Sequence, residues 1–351
     1  MASFSVYPDC EPEKYDPPEY RSPPRPLQLS KSMKQPPLVD QGRDRSFGAQ
    51  IAEQISEFGN ESASIEDVDI VTSMVSLRML MGWVDGSLSE DMRAKGLNTR
   101  FRHESEEVDL CRIGRLPGAP KAVFLGSVWN WVPENATSGT GALNRRSYDV
   151  NFQQVVSGKE TFGGPPSVRM MNHPEHYRIL RYEIAGLKLA VRVPVACVVP
   201  VVDDDAMDRP GMSVEVSSAN RRDAGDLWGH SLCTKFAEMQ LGDVGMLVRG
   251  IVDKGFIVDV QEVTRDDLRL DRPDLDAEAK VLLGRLAGLL RRVKEVSDCP
   301  GCDGRPLYLQ YSDTELRIIS PRLDEELDAY MDGPAMSDKE IGELLGLPVP
   351  R

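Results

Sequence analysis

The chain has 351 residues, with 42 basic and 56 acidic side chains that give a formal net charge of −14. This acidic balance argues against a protein that clamps nucleic acid through an overall basic surface, although it leaves room for a local basic groove. The apolar fraction of 40% is ordinary for a globular protein and excludes a wholly disordered chain. No run approaches about 18 consecutive apolar residues, so no transmembrane helix is indicated, and no secretory signal is visible. We therefore expect an intracellular protein, in the cytoplasm or the nucleus, without contact to a membrane.

The first predicted region is a proline-rich tail over residues 1–46. Nine of the 25 prolines fall there, with few aliphatic residues among them. Such a composition offers too little apolar surface to fold alone, so the sequence predicts a disordered tail with polyproline II character. The run Arg21–Pro26 (RSPPRP) has the pattern of an SH3-type ligand, although such runs are more often spacers or edges that lie on a domain. Residues 47–351 are then predicted to form one domain.

Helices are predicted to open this domain. Apolar residues recur at helical spacing in residues 51–58 and again in residues 65–84. In the second segment one stripe is predicted to face the core. It consists of Val68, Val71, Val75, Met79 and Trp83.

Alternating patterns follow, and they predict strands. The two best defined strands cover residues 177–183 and 187–201 and are joined at Ala185-Gly186. The remaining predicted elements are, in chain order, a strand at 122–132, a short strand at 213–218, a helix at 227–241, a hairpin at 246–263, a helix from a cap at Asp276 to 296, a hairpin at 306–320 and a short helix from Ser337. Helices therefore flank a mixed sheet.

The six cysteines are few for this length and are predicted to be reduced. Cys299 and Cys302 form the motif C-P-G-C, which fits half of a zinc site, a redox pair or a tight turn. There is no second CxxC to complete the zinc site. The sequence also lacks the GxSxG, GxxxxGK[ST] and strand-associated GxGxxG motifs, which removes the main support for serine hydrolase, P-loop and dinucleotide-binding functions.

The most informative block spans residues 178–263. It contains a strand that ends in V-P-V-A-C, an acidic loop, a strand V-E-V-S-S, a helix with K-F-A-E-M-Q-L-G and a hairpin V-R-G-I-V-D-K-G-F. This order resembles the decapping and exoribonuclease (DXO) family, which removes abnormal caps from RNA 5′ ends. The resemblance extends upstream to Tyr148–Gln153. It implies an α+β fold with mixed, largely antiparallel sheets flanked by helices, around a core like that of the PD-(D/E)XK nucleases.

The resemblance also implies where an active site would lie. In the family, one strand ends in Glu-x-Asp, the next carries Glu-x-Lys, a helix carries glutamine, and a glutamate lies upstream. Carboxylates of this kind hold divalent ions that activate water and neutralise charge during phosphodiester hydrolysis. At the matching positions this sequence has Pro194, Ala196, Glu215, Ser217, Glu238 and Gln153. Only Glu215 remains of four expected acidic ligands. By their alternation, Pro194, Ala196, Glu215 and Ser217 are predicted to face one concave surface from adjacent strands.

Three hypotheses remain open at this point. In the first, the protein is a catalytically degenerate homologue without a cofactor. It would bind RNA 5′ ends through Arg192 and Lys188, or bind a protein such as the 5′→3′ exoribonuclease that partners active members of the family. In the second, Mg²⁺ or Mn²⁺ binds at a displaced site, with Glu215 as ligand and with Glu238, Asp149 or the aspartates at 203–205 nearby, and the protein is an active decapping nuclease. In the third, it is an unrelated protein-interaction scaffold.

Overall fold

The computed structural model describes about half of the predicted domain and three short segments before it. The described residues are 2–6, 18–23, 27–28, 67–86, 108–116, 119–127, 152–153, 155–157, 175–200, 211–220, 232–254, 256–299, 307–311 and 316–319. The helices predicted at 51–58 and from Ser337 lie outside these residues. Among the described helices, none combines the length and the apolar character that a membrane span requires.

The larger of two β-sheets has eight strands in the order β1-β6-β7-β3-β5-β4-β12-β13. The central strand β3 is parallel to both of its neighbours, and the other pairs in this sheet are antiparallel. The bounds are β1 Ala2–Val6, β3 Ile70–Ser73, β4 Val108–Leu116, β5 Ala119–Ser127, β6 Glu175–Ile184, β7 Leu187–Val195, β12 Leu307–Tyr311 and β13 Leu316–Ile319.

The smaller sheet has five strands in the order β2-β11-β10-β9-β8. Strands β9 and β10 are parallel, and the remaining pairs are antiparallel. The bounds are β2 Leu27–Gln28, β8 Cys197–Val199, β9 Met212–Asn220, β10 Val244–Asp253 and β11 Phe256–Thr264. Two mixed, largely antiparallel sheets with helices confirm the predicted α+β class.

Four helices accompany the sheets: α1 Met74–Asp85, α2 Leu232–Leu241, α3 Arg265–Asp271 and α4 Leu275–Ser297. The main core forms where α1 and α4 pack on the eight-stranded sheet and α2 packs on both of these helices and on β10, with Leu77, Phe236 and Leu286 fully buried. A second apolar cluster lies on one face of the five-stranded sheet and includes Phe152, Val214 and Val248. The five-stranded sheet therefore has one face toward the helices and one toward this second cluster.

The region 65–84 was predicted as one helix, and this is wrong for its first part. Ile70–Ser73 is a strand that is buried along its whole length between β5 and β7. The helix begins only after Ser73, whose hydroxyl accepts a hydrogen bond from the amide of Ser76. Since β-branched residues suit a central strand, pairing on both sides outweighs helical periodicity here. The predicted stripe is wrong at Val75, which is 47% exposed, whereas Val68 and Val71 are buried and Met79 and Trp83 pack against the main core.

The strand predicted at 187–201 is divided at Ala196. Residues up to Val195 pair with β6 and β3 in the large sheet, whereas residues from Cys197 pair with β9 in the small sheet. The chain therefore crosses from one sheet to the other at this point. The turn before it is as predicted: Ala185 and Gly186 both have positive φ angles, of 49° and 85°, which suits a two-residue hairpin.

Three parts of the predicted disordered tail are in fact ordered on the domain. Ala2–Val6 pairs with β6, Leu27–Gln28 pairs with β11, and the amide of Tyr20 donates to the carbonyl of Val198 in β8. These contacts are backbone hydrogen bonds at sheet edges. Amino-acid composition does not reveal them, because a segment that pairs through its backbone needs no apolar core of its own. The boundary predicted at residue 46 lies outside the described residues.

The other predicted elements that the structure describes are confirmed with small shifts. These are the strand before Ser127, the strands β6 and β9, the helix α2, the hairpin of β10 and β11, and the hairpin of β12 and β13. Helix α4 is also confirmed, but its N-cap is Asp274, and Asp276 lies within the first turn.

Replacing Leu286 by alanine should destabilise the fold strongly. This side chain is fully buried where α4 packs on the large sheet, so its removal leaves a cavity and should lower the free energy of unfolding by about 2–5 kcal/mol. The control on the same helix is Val281→Ala, since Val281 is 57% exposed and should change stability by less than about 0.5 kcal/mol. Urea unfolding of both variants checks this, and equal effects would contradict the described packing of α4.

Candidate functional site

The candidate site begins with the face of the small sheet that points toward the helices. Glu215 in β9 is opposite Leu247 in β10, and Ser217 is opposite Arg249 in the same pair of strands. Leu247 belongs to the main core, whereas Val214 and Val248 belong to the cluster on the other face. Because side chains alternate along a strand, Glu215, Ser217 and Arg249 share the helix-facing side.

Helix α2 brings two charged side chains to Glu215. Lys235 and Glu238 are three residues apart and therefore lie on the same side of the helix. The Nζ atom of Lys235 lies 2.5 Å from Oε1 of Glu215 and 3.1 Å from Oε2 of Glu238. Lys235 thus joins helix α2 to strand β9, and it also forms an ion pair with Glu238 of its own helix.

Helix α1 supplies the fourth member, Arg78. Its Nε atom lies 3.0 Å from Oε2 of Glu238, and its Nη2 atom lies 3.5 Å from Oε1 of Glu215. The end of the same helix is tied to the start of α2 by a hydrogen bond from the hydroxyl of Thr234 to the carboxylate of Asp85. We refer to Arg78, Glu215, Lys235 and Glu238 as the four-residue cluster.

The four side chains of the cluster differ in how far they are exposed to solvent. The side chain of Glu238 is 1% exposed and that of Lys235 is 8% exposed, whereas those of Glu215 and Arg78 are 28% and 37% exposed. Two cations offset two carboxylates, which compensates the high cost of burying charge. The open side of the cluster therefore presents a guanidinium and a carboxylate to the solvent.

The residues of the cluster do not fit a divalent metal ion. Oε1 of Glu215 and Oε2 of Glu238 already lie against Lys235 and Arg78. Oε1 of Glu238 has no hydrogen-bond partner among the described residues, but it is buried. Mg²⁺ and Mn²⁺ take several oxygen ligands, and the described residues contain no group of three or more potential metal-ligating side chains. The ammonium group of Lys235 and the guanidinium group of Arg78 next to the carboxylates would also repel a dication.

The other positions matched by the resemblance lie on other elements than this cluster. Pro194 is exposed in β7 of the large sheet, opposite Tyr177, and β7 does not pair with β9. Ala196, at the crossing between sheets, packs against the second apolar cluster. Pro194 and Glu215 therefore lie in strands of different sheets, because one alternating segment contributes to both. The common surface of Pro194 and Ala196 with Glu215 and Ser217 stays a prediction.

Gln153 is also separate from Glu215. It is exposed, in a helical turn where the amide of Ser157 donates to its carbonyl. The adjacent Phe152 packs in the second apolar cluster, on the opposite face of the small sheet from Glu215. Asp149 and the aspartates at 203–205 lie outside the described residues, so the displaced metal site that would use them stays a prediction.

The two residues assigned to RNA differ in accessibility. Lys188 is exposed in β7. Arg192 is buried, with its guanidinium 4.5 Å from the centre of the Tyr177 ring, an arrangement typical of a cation–π contact. Arg192 is therefore poorly placed for a phosphate, and Lys188 remains available.

The sequence reasoning did not identify Arg78 and Lys235. A signal for Lys235 was present, because a lysine three residues before a glutamate on an amphipathic helix suggests an ion pair. Arg78 offered no comparable signal, since its helix was placed in a longer segment with a different apolar stripe. Glu215 and Glu238 were both selected, and the structure brings them together through these two cations.

Two predictions about cysteines can be compared with the structure. Cys111 and Cys197 are buried free thiols, as predicted, and burial raises the pKa of Cys111 to about 12. The thiol of Cys299 lies 3.4 Å from the carbonyl oxygen of Glu295, within the range of a weak hydrogen bond. Cys302 lies outside the described residues, so the zinc half-site stays a prediction.

Comparison with known proteins identifies the fold. No protein-family model matches this sequence, and no curated protein matches it. Rai1 of Scheffersomyces stipitis, solved with (3′-NADP)+ and a calcium ion, aligns over 98% of this chain and 95% of its own, with a TM-score of 0.65 and 13% identity. Candida albicans Rai1, solved with pU5 and Mn²⁺, covers 98% and 94%, with a TM-score of 0.64 and 12% identity. S. pombe Rai1 with 3′-FADP covers 91% and 92%, with a TM-score of 0.59 and 15% identity.

At these identities the likeness concerns the fold. The chain has the Rai1 fold over nearly its whole length. Rai1 is a member of the decapping family whose motifs the sequence resembles. The fold class expected from that resemblance is therefore confirmed.

Replacing Lys235 by methionine should destabilise the protein, because Glu238 then loses one of its two cationic partners while it stays buried. We expect a loss of about 1.5–3 kcal/mol, the range typical of hydrogen bonds to charged groups. The control is Lys280→Met at an exposed position of α4, which should change stability by less than about 0.5 kcal/mol. Denaturant unfolding measures both.

Adding Glu238→Gln to Lys235→Met should recover part of this loss, because the buried negative charge is then absent. A Lys235→Met variant as stable as the Lys280→Met control would show that the cluster does not hold α2 on the small sheet.

Proposed function

We propose that this protein is a catalytically degenerate homologue of the RNA 5′-end decapping nucleases that binds RNA 5′ ends. The observation that carries the proposal is the pairing of Glu215 and Glu238 with Lys235 and Arg78. In an active metal-dependent site these carboxylate oxygens would have to be available to divalent ions. Here the cations belong to the protein, so the site is neutralised without a metal.

Binding to RNA is supported by the Rai1 fold and by the exposed part of the cluster. Candida albicans Rai1 was solved with the oligonucleotide pU5, and the S. stipitis and S. pombe proteins with nucleotides that contain phosphates. In the present chain the side chain of Arg78 is 37% exposed, and guanidinium groups bind phosphates well because they donate several hydrogen bonds in one plane. Arg78 is therefore the residue that we assign to a terminal phosphate.

Divalent ions have no role in the proposed function. With Ser217 in place of lysine and with Pro194 and Ala196 in place of carboxylates, the matched positions lack the groups that would orient a water molecule for attack. Lys235 is 8% exposed and occupied by two carboxylates, so it is not free to take the role of that lysine. The arrangement lacks the groups that would cleave an anion, and an anion would meet it at the exposed part of the Arg78 side chain.

A combined binding and hydrolysis experiment tests the proposal. The purified chain is incubated with 5′-monophosphate, 5′-triphosphate and NAD-capped RNA in Mg²⁺ and in Mn²⁺, and the products are separated on a denaturing gel. Binding of the same RNAs is measured by fluorescence anisotropy in EDTA. We expect binding that is retained in EDTA and no release of nucleotides or caps. Hydrolysis that disappears with EDTA and in a Glu215→Ala variant would instead establish the hypothesis of a displaced metal site.

The Arg78→Gln variant should weaken RNA binding uniformly across sequences. If its guanidinium contacts one phosphate, the slope of log affinity against log salt concentration should fall by about 1. The matched control is Arg292→Gln on α4, where Arg292 is exposed and pairs only at the surface with Glu295. A wild-type chain that binds none of the three RNAs would contradict the RNA role and favour an interaction scaffold.

A further inference from the structure

The described residues 18–23 and 27–28, which we call the strap, contact β8 at one side of the small sheet and β11 near the other. At one end, the amide of Tyr20 donates to the carbonyl of Val198, and the amide of Val198 donates to the carbonyl of Pro18. At the other end, Leu27–Gln28 pairs with β11. Between these ends, the ring of Tyr20 packs against the second apolar cluster. The described parts of the strap thus contact both edges and one face of the same sheet.

A single carboxylate holds the middle of the strap. The phenol of Tyr20 donates to Oε1 of Glu262 at 2.7 Å, and the hydroxyl of Ser22 lies 3.2 Å from the same oxygen atom. Burial raises the pKa of Tyr20 and the hydrogen bond to Glu262 raises it further, so this phenol stays a proton donor. Glu262 itself is on β11 and is exposed. The contact therefore depends on two neutral hydroxyl groups, of Tyr20 and Ser22, that share the negatively charged carboxylate of Glu262.

Ser22 has features of a site for a proline-directed protein kinase. It is exposed, it follows the exposed Arg21, and it precedes Pro23 and Pro24. A proline disfavours the helical conformation of the residue before it, which keeps Ser22 extended. Pro23 is buried, so the kinase would reach this proline when the segment moves away from the sheet.

We propose that Ser22 is a phosphorylation site and that its phosphorylation releases the strap from Glu262. The Ser22 hydroxyl oxygen attacks the γ-phosphorus of a nucleoside triphosphate and the new O–P bond forms. The bond from this phosphorus to the β–γ bridging oxygen breaks, the nucleoside diphosphate leaves, and the hydroxyl proton passes to a base of the kinase. The product places a charge of about −2 beside the carboxylate of Glu262 and removes the donor that bound it.

Repulsion at this position would act on the whole strap. Charges of the same sign within a few ångströms disfavour the docked state, and phosphate next to an acidic residue is disruptive in general. Once Ser22 moves away, the Tyr20 ring no longer has a fixed position, and residues 21–23 become available to other proteins. The edge of β8 and part of the second apolar cluster are uncovered at the same time.

The experiment uses the full-length chain, a proline-directed serine kinase and a nucleoside triphosphate. Mass spectrometry locates the phosphate, with Ser22→Ala as the control and an isolated peptide of residues 18–28 as the reference substrate. Hydrogen exchange at the amides of Tyr20 and Val198 then reports strap release. We expect phosphate on Ser22 and exchange at least about tenfold faster, which corresponds to about 1.4 kcal/mol. In a Glu262→Gln variant, phosphorylation should accelerate exchange much less, because the amide of glutamine can donate to the phosphate.

Two results would overturn the proposal. One is a kinase that modifies the isolated peptide but leaves Ser22 of the folded chain without phosphate. The other is phosphorylated protein whose exchange at Tyr20 and Val198 equals that of the unmodified protein. Equal acceleration in the wild type and in Glu262→Gln would show that release does not act through this carboxylate, and it would also contradict the mechanism.

Discussion

The arrangement of this protein depends on the burial of one carboxylate, that of Glu238. A glutamate that is 2% exposed in the main layer of helices must be compensated, because an isolated charge in such a place is several kcal/mol unfavourable. The compensation comes from Arg78 on α1 and from Lys235 on the same helix as Glu238. Through Lys235 the requirement extends to Glu215 on β9. One buried charge thereby sets the positions of two helices against the small sheet.

The same compensation determines what the site can do chemically. A divalent ion and a pair of side-chain cations are two solutions to the same electrostatic problem, namely two carboxylates close together in a partly buried cleft. Side-chain cations stabilise the fold permanently, but they cannot activate a water molecule as a metal does. The exposed guanidinium of Arg78 keeps one property of a metal site, the attraction of phosphate. This is the physical basis for the proposal that the site binds RNA ends without hydrolysing them.

The N-terminal segments show a second constraint, which concerns the edges of the sheets. Edge strands present unpaired amide and carbonyl groups and are commonly covered by other parts of the chain. In this protein Ala2–Val6 covers β6, while the strap contacts both β8 and β11. The contacts of the strap are backbone hydrogen bonds and one carboxylate, and they lie outside the helix-packed core. The proposed phosphorylation would therefore act on the edge of the small sheet and not on this core.

The sequence alone was enough to predict the elements with strong periodicity. It was also enough to indicate the family whose fold this chain shares. Three features could be predicted from the sequence because each depends on neighbours along the chain. They are the turn at Ala185-Gly186, the long apolar stripe of α4 and the order of motifs in residues 178–263. Only the tertiary structure decided that Ile70–Ser73 is a strand, that 187–201 serves two sheets and that Arg78 and Lys235 meet Glu215. Pairing on both sides of a strand, a crossing between sheets and an ion pair between α1 and β9 join residues that are far apart in sequence. Their energies depend on distances that no local pattern contains.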